Sequence, residues 1–545
     1  MDAKKIKETL FLPKTDFPLK NHNHQSTEQE IREFWEEKQV YPKVLEKNKN
    51  NQSFILHSGP PYANGKIHLG HVLNFLIKDI IVRFQASQGF YTPFLLGWDA
   101  HGLPTEHKIL QTYKGQKIDL RPACHKFAWE QVQIQKKQLK KLGLFTDYSK
   151  YYVTLDKKYE AEQLRIFGQL VKKGLVYQGF RPIHWSWSHE TALAENEIEY
   201  YQKKDTSLYF KIKLADTLNS LEKKDIFLLI WTTQPWTIPA NQLVAIKKNA
   251  SYSLVNCDGE YLVLLEKRVS ILEKWSKETK IEKVITGEKL LGLNYFHPYW
   301  EDMKGYVVAG DEFIQEEEGT GIVHLAPAFG AEDFAVAKQE KLTIECPLEP
   351  NGLFNEKIGI SELVGKHYWE VNKHVISDLE KRNLVIRKEE IVHSYPHDWR
   401  DKNPLIYRLT KQWFIRIESV KEELLENIQK VKWYPAWTKE KMLQIISARE
   451  DWCISRQRKW GVPLPILYKN DEPILSPEII DYVAEIFSQN GSNCWFDKSI
   501  LPLLQEKFPN LLDKETVLGE DIMDVWLDSG VSHWCVLRKR VKFEV

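Results

Sequence analysis

The chain has 545 residues, of which 43% are apolar and 28% charged, with 76 Lys and Arg against 75 Asp and Glu for a net charge of +1. At about 150 residues per domain this length implies roughly three to four domains, and the composition excludes a wholly disordered or collagen-like chain. Balanced charge means that the overall field does not attract nucleic acid, so such a partner must meet a local basic patch.

Met1 to Phe17 carries Lys4, Lys5, Lys7 and Lys14 but lacks the apolar core of a signal peptide. Ser26-Thr27 with Gln29 and Glu30 predicts a capping box, followed by a helix to about Lys38 that buries Ile31, Phe34 and Trp35. The polar run Lys47 to Gln52 predicts a loop, and Ser53 to His57 a short strand. Gly59 to Gly65, with Pro60 and Pro61, cannot be helix or strand interior. A helix from about His68 to Ser87 follows, with Val72, Phe75, Leu76, Ile80 and Phe84 at helical spacing and Gly89 as its stop. Asn74, Lys78, Asp79 and Arg83 interrupt its apolar stretch, so it cannot span a bilayer. Strand, Gly/Pro loop and buried helix together open a nucleotide-binding α/β sheet. Lys136, Lys137, Lys140 and Lys141 share one predicted helix; they form a solvated face or touch a nucleic-acid backbone.

From about Tyr200 to Glu390 the chain turns strand-rich, with candidates at Leu208–Ile212, Ile226–Trp231 and Tyr261–Leu265. This reads as a second domain inserted into the first, to which the Trp-, Pro- and Arg-rich chain returns after about Ser394. The six cysteines, Cys124, Cys257, Cys346, Cys453, Cys494 and Cys535, form no CxxC pair. They signal neither a disulfide framework nor a zinc knuckle, and fit a reducing compartment. A cytoplasmic protein without membrane attachment is expected.

Chemistry concentrates in Pro60-Pro61-Tyr62-Ala63-Asn64-Gly65-Lys66-Ile67-His68-Leu69-Gly70-His71. Histidines three apart at a helix start face one side, and Gly70 removes a side chain between them. A helix N-terminus favours anions. Two imidazole donors beside a phosphate would stabilise charge developing on a phosphoryl group. A bare HxxH is more often a helix cap; the Pro-Pro and Asn-Gly loop in front favours the phosphate reading.

This run resembles the HIGH signature of class I aminoacyl-tRNA synthetases, with Leu69 in the variable second place. Gly97-Trp98-Asp99-Ala100-His101-Gly102-Leu103-Pro104-Thr105-Glu106 follows at the family's spacing and looks like the isoleucyl branch. Trp452 to Arg458, Trp460-Gly461-Val462-Pro463 and Asp524 to Gly530 continue the resemblance over nearly the whole chain. It implies an α/β fold: a Rossmann-like class I synthetase catalytic domain interrupted by an inserted β-rich editing domain. The implied boundaries are an N-terminal arm at 1–50, the first half of the catalytic domain at 51–195, the editing domain at 196–392 and a truncated second part at 393–545. The implied partners are ATP with its Mg2+, L-isoleucine and tRNA(Ile), and the implied state is a monomer. The isoleucine carboxylate would attack the α-phosphate of ATP, and the tRNA's terminal ribose hydroxyl would then attack the adenylate. By this resemblance His68 and His71 are the catalytic residues, and Pro61, Asn64, Gly65 and Gly70 complete the ATP-binding loop. Asp99 would hold the substrate ammonium, and Pro60 and Trp526 would wall its apolar pocket. His101 either orients Asp99 or packs.

Distinguishing isoleucine from valine turns on one methylene, worth only about 1–3 kcal/mol, a limit for which this pair of amino acids is the standard illustration. The remedy is a second, hydrolytic site. Trp231 to Asn241 and Gly319 to Asp333 resemble the isoleucyl editing domain. The resemblance implies that Thr232, Thr233 and Asn241 line the pocket, that Asp333 holds the misacylated amino group and that His324 helps exclude isoleucine. Gln234 stands where the family usually has a third threonine.

Family members often bind zinc through cysteine pairs, but the matching stretches read His184-Trp185-Ser186-Trp187-Ser188 and His397-Asp398-Trp399-Arg400-Asp401. Without thiolates no zinc is expected. The second family signature, KMSKS, is absent, and the last nine residues are basic. The chain therefore reads as the N-terminal part of a synthetase, with impaired adenylate formation. Two alternatives stay open: a fragment that only deacylates tRNA, and a noncatalytic RNA-binding remnant.

Overall fold

The computed structural model describes residues 5, 9–10, 24–217, 224–300 and 302–538. The lysines at positions 4, 7 and 14 and the basic run 539–545 lie outside them. The chain divides into two compact units, one of Met1–Gln163, Ala484–Asn493 and Val525–Val545, the other of Leu164–Val483 and Cys494–Asp524. Both belong to a mixed α/β fold, helical around a parallel strand pair in the first unit and β-rich in the second. No helix among the described residues is long and apolar enough to cross a membrane.

In the first unit, strands Leu96–Trp98 and Tyr151–Val153 pair in parallel, with Leu96 opposite Tyr151 and Trp98 opposite Val153. Gly97 is required by close approach: a Cβ there would lie 2.0 Å from the Tyr152 ring. Two isolated parallel bridges, Ser53 to Tyr91 and Tyr62 to Asp99, stand outside this pair. The predicted strand at Ser53–His57 is reduced to the first of these bridges, with Phe54 N donating to Tyr91 O at 2.9 Å. Asn48 ends a helix, Val40–Asn48, that the polar loop reading did not anticipate, and its buried amide donates to Ala86 O and Phe90 O.

Two predicted faces are corrected. The first helix runs His24–Glu37, starting ahead of the expected cap. Ile31 and Phe34 are exposed, while Trp35 is half-buried under the Arg83 guanidinium, 4.8 Å from its ring. Helix Leu69–Ser87 forms where expected, but it buries Phe75, Asp79, Val82 and Ala86 and leaves Leu76, Ile80 and Phe84 exposed. Its buried carboxylate is satisfied locally: Asp79 accepts from Arg83 Nε at 2.6 Å and from Phe145 N at 2.5 Å. Periodicity marks both sides of this helix as apolar, and only packing decides which is covered. Leu69, 84% exposed, and Leu73, 64% exposed, lead a stripe that continues through Ile80 to Phe84. Contiguous apolar surface binds hydrophobic dyes. The double variant Leu73→Glu, Ile80→Lys should lower fluorescence of a hydrophobic dye several-fold at unchanged melting temperature; unchanged dye fluorescence would show that the stripe is not accessible in solution.

The predicted basic helix, Leu120–Lys141, buries one face through Cys124, Ala128, Val132, Gln135 and Leu139, and leaves Lys137, Lys140 and Lys141 exposed with Lys136 half-buried. Lys140 pairs with Glu36 at 2.8 Å, and the Lys136 ammonium sits 4.3 Å from the Tyr151 ring.

The second unit holds a six-stranded sheet in the spatial order Thr279–Thr286, Ser251–Cys257, Glu260–Leu265, Ile226–Thr232, Ile198–Lys213, Val385–Asp398. The three predicted strands all lie in it. Leu208, Phe210, Leu228 and Ile230 enter one core, while Tyr209, Leu229 and Leu262 enter another on the opposite face. Covering both faces explains why Ile226–Trp231 reads as an unbroken apolar run rather than an alternating one. A four-stranded sheet, Asn294–Phe296, Lys304–Ala309, Leu243–Ile246 and Ile322–Leu325, stands beside the six-stranded one in the same core.

Candidate active sites

In the first unit the loop at 59–67 is clamped to Asp99. Asp99 N donates to Pro61 O at 2.9 Å, and Ala63 N donates to Asp99 O at 2.8 Å. Gln135, buried on Leu120–Lys141, donates to Tyr62 O at 3.0 Å and Gly65 O at 2.8 Å while accepting from Trp98 Nε1 at 3.1 Å. Gly65 takes φ +152°, which a side chain would resist. Asn64 is half-buried beside it. Gln135 carries no sequence signal beyond its place on a helix, and was missed.

His68 caps helix Leu69–Ser87, its Nδ1 accepting from Gly70 N at 3.1 Å. His71 Nδ1 accepts from His68 N at 3.2 Å, and the ring centroids lie 4.0 Å apart. A neutral ring that accepts at Nδ1 carries its proton on Nε2, so both rings keep an Nε2–H for a ligand. Burial, then the neighbouring His68, lowers the His71 pKa and keeps that ring neutral at pH 7. A Cβ on Gly70 would sit 3.0 Å from His68 Cε1, so glycine gives the ring its seat. The structure thus brings both histidines together at an exposed helix start, rather than in packed hydrocarbon.

Asp99 is buried, and its Oδ1 accepts from Thr154 Oγ1 at 3.2 Å. Its pKa is raised well above the usual carboxylate value, by burial first and then by the charge of Asp528, against the pull of His101 and Thr154. His101 joins a buried ionic network. Its Nδ1 lies 2.7 Å from Asp528 Oδ2 and its Nε2 3.5 Å from Glu160 Oε1. Burial alone would lower its pKa, but Asp528 and Glu160 raise it to about 9. Gln163 donates to Asp528 Oδ1 at 2.7 Å, Ser492 Oγ to Glu160 Oε1 at 2.7 Å, and Arg121 to Ser492 Oγ at 2.9 Å. Trp526, 43% exposed, stands two residues before Asp528 on helix Val525–Gly530. The His101–Asp528 contact therefore ties the helix bearing Trp526 to the turn bearing Asp99. Pro60 is half-buried at the start of the clamped loop.

The second unit gathers the other predicted group less completely. Thr232 Oγ1 accepts from Gln234 N at 3.1 Å, leaving the Gln234 side chain outside that bond. Thr233 is half-buried. Thr237 Oγ1 donates to Gln234 O at 2.9 Å, which commits its proton, so His324 Nε2, 3.1 Å away, is the donor to Thr237. Nδ1 of His324 is then a buried lone pair without a partner among the described residues, and burial lowers the His324 pKa to about 4. Burial raises the Asp333 carboxyl to about 6 although Ala326 N donates to its Oδ2 at 2.7 Å. A Cβ on Gly330 would stand 2.8 Å from Asp333 Oδ1. Asn241 is only 2% exposed, and its amide is used within the fold: Tyr295 OH donates to Oδ1 at 2.5 Å and Nδ2 donates to Leu243 O at 2.9 Å. Of the five predicted residues, Asn241 alone borders a cavity of about 710 Å³ edged by Trp300, Met303 and Lys357. Thr237 was missed, although it stands in the same quoted motif.

Where the resemblance places zinc ligands, Ser186, Ser188, His189, Asp398 and Asp401 form a hydrogen-bonded clasp. Asp398 Oδ2 accepts from Ser186 Oγ at 2.7 Å and lies 2.9 Å from His189 Nδ1, and Asp401 Oδ2 accepts from Ser188 Oγ at 2.5 Å. Against its burial, bonds led by that from His189 hold the Asp398 pKa below the usual value. One ligand atom each from His189, Asp398 and Asp401 falls within a 4.8 Å cluster. Zinc takes imidazole and carboxylate as well as thiolate ligands, and this cluster offers the first two without the third.

Residues 30–544 match the family model described as tRNA synthetases class I (I, L, M and V). Curated relatives named isoleucine–tRNA ligase are similar along the chain. One from Caldicellulosiruptor saccharolyticus is 41% identical over 98% of this chain and 60% of its own length. One from Mycoplasmoides gallisepticum is 42% identical over 97% and 59%. One from Staphylococcus epidermidis is 42% identical over 98% and 62%. The chain thus spans about 60% of the length of the curated relatives it matches.

Proposed function

Because the chain belongs to the class I tRNA synthetases (I, L, M and V), we propose that it is an isoleucine–tRNA ligase: it activates L-isoleucine with Mg2+-bound ATP, transfers it to tRNA(Ile) and hydrolyses valine misattached there. The observation that carries this reading is the pair of imidazoles 4.0 Å apart at a helix start, on the same loop that clamps Asp99. The buried Asp99 carboxylate, which accepts from the Thr154 hydroxyl, binds the ammonium of isoleucine. Pro60 and Trp526 hold its side chain. The isoleucine carboxylate then attacks the α-phosphorus, pyrophosphate leaves, and the His68 and His71 Nε2–H groups and helix N-terminus stabilise charge on the phosphoryl oxygens. Asn64, Gly65, Gly70 and Pro61 shape the ATP loop. Positioning and charge stabilisation do most of the work. The protein acts as a cytoplasmic monomer, with residues 51–195 and 393–545 as catalytic domain and 196–392 as editing domain. Isoleucine-dependent exchange of pyrophosphate into ATP is the test: no exchange above that seen with a His68→Ala, His71→Ala double variant would remove the activating role.

A second reading, tRNA deacylation alone, draws on the location of the whole hydrolytic group within the second compact unit. Asp333 anchors the misacylated amino group there, and His324 narrows the pocket. Asp333→Ala should slow valyl-tRNA hydrolysis about 100-fold, the effect of losing one charge-assisted contact worth ~3 kcal/mol; equal rates would place the hydrolytic centre elsewhere. We further assign no zinc to the clasp at Asp398. Metal analysis of the purified protein should find well under one zinc per molecule, and one tightly held zinc lost on His189→Ala would reverse that assignment.

A further inference from the structure

Strands Ile406–Ile415 and Trp452–Cys453 pair antiparallel, Phe414 opposite Cys453 and Ile415 opposite Trp452. Between them the chain leaves the sheet as two short helices, Lys421–Lys430 and Thr438–Ser447, packed on each other. Asp451 fixes the foot of this hairpin, accepting from Ile417 N at 2.8 Å, Glu418 N at 3.3 Å and Tyr177 OH at 2.6 Å. Neither helix contains a buried residue. Helices this short draw stability from packing, so an anchored hairpin with no buried side chain is a presenting element.

What it presents is aromatic and cationic. Tyr434 is 76% exposed and Trp437 65% exposed at the tip. Trp433 differs, being half-buried with Nε1 donating to Ile428 O at 3.0 Å. At the tip, from Lys430 to Lys441, the basic residues Lys430, Lys432, Lys439 and Lys441 stand against Glu440, while Glu422, Glu423 and Glu426 lie further down the first helix and Glu450 follows Arg449. Arg449 pairs with Glu195 at 3.1 Å. Lys432 places its ammonium 5.2 Å from the Tyr434 ring. Lys439 and Lys441 have no ion pair among the described residues.

We propose that the tip of this hairpin docks single-stranded RNA, with bases stacking on Tyr434 and Trp437 and phosphates meeting Lys432, Lys439 and Lys441. Exposed rings close in the chain to Lys439 and Lys441 match an unstacked base with its phosphates. A duplex keeps its bases stacked on one another and offers no free face. An acidic peptide suits the lysines but not both flat rings. On the tRNA reading above, which this proposal deepens, the occupant is an unpaired end of tRNA.

The test uses the full chain, an unpaired octaribonucleotide, the same sequence as a duplex, a polyglutamate peptide and a tRNA(Ile) transcript. The wild type should bind the unpaired strand at least tenfold more tightly than the duplex or the peptide. The double variant Tyr434→Ala, Trp437→Ala should lose at least tenfold in affinity, while Trp437→Phe retains it. Lys439→Glu with Lys441→Glu should flatten the dependence of log affinity on log salt by about two charges. No unpaired-strand binding, equal affinity for duplex or peptide, or indifference to both ring and lysine changes overturns the proposal. Tight tRNA binding that ignores the hairpin variants leaves the tRNA reading standing and sinks the docking surface alone. A wild type that binds no tRNA but still binds the unpaired strand through Trp437 does the reverse.

Discussion

Asp99→Asn should lower isoleucine-dependent pyrophosphate exchange about 10³-fold, with most of the loss in amino-acid affinity. The substitution keeps the shape and the bond from Thr154, so packing is nearly unchanged. It removes the negative charge that would face the substrate ammonium. Leaving one member of a buried ion pair without its partner costs about 3–5 kcal/mol, and every 1.4 kcal/mol is tenfold. The free carboxyl is raised by burial and then by Asp528, so at mildly acidic pH much of it is protonated and cannot receive an ammonium. Isoleucine affinity should therefore rise with pH until Asp99 is ionised, and the Asp99→Asn variant should show no such rise. Calorimetric titration across pH checks both. Equal isoleucine affinity for wild type and variant would dismiss Asp99 from the amino-acid site.

The second large effect is on stability. His101→Leu should destabilise the first unit by about 3–5 kcal/mol, because Asp528 and Glu160 lose the cation between them while remaining buried. For a unit of this size the expected fall in melting temperature is on the order of 10 °C. The wild type should also show a pH signature. His101 titrates near 6.5 when unfolded and at about 9 when folded. The folded state holds this proton more tightly, so the stabilisation is complete below pH 6.5 and lost as pH rises through 9, at about 1.4 kcal/mol per pH unit. Asp99 and Asp528, raised in the folded state, act in the same direction at lower pH. Glu160, lowered, acts oppositely: its contribution is present above its unfolded value and lost in acid. Denaturant unfolding from pH 6 to 9.5 should show a slope for the wild type that His101→Leu flattens. Parallel curves for the two proteins would mean that His101 is not a buried cation. The network also gives His101 a definite role. It joins the turn after Asp99 to the helix that carries Trp526, and its charge also acts on Asp99.

Residues close in the chain were legible because helix and turn geometry alone places them. His68 and His71 are three apart at a helix start, so their rings meet whatever surrounds them, and Gly70 between them leaves the room. The strands at Leu208, Ile226 and Tyr261 were legible from apolar runs of the right length. Pairings across hundreds of residues were not. Nothing local to His101 points to Asp528, although both stood inside recognised motifs. Gln135 gives no local sign that it pins a loop at Tyr62 and Gly65. Asn241 sits in a motif whose resemblance implies a pocket wall, and nothing local shows that Tyr295 and Leu243 each take one hydrogen-bonding position of its amide.

The chain's own residues, by i to i+3 spacing and unbroken apolar runs, determined where the helix start, the strands and the paired imidazoles would be. Tertiary structure alone decided which apolar faces are covered, as on helix Leu69–Ser87, and which charges share the low-dielectric interior with His101. The physical reason is range: backbone geometry acts over a few residues, whereas burial and charge depend on whatever the folded chain brings alongside.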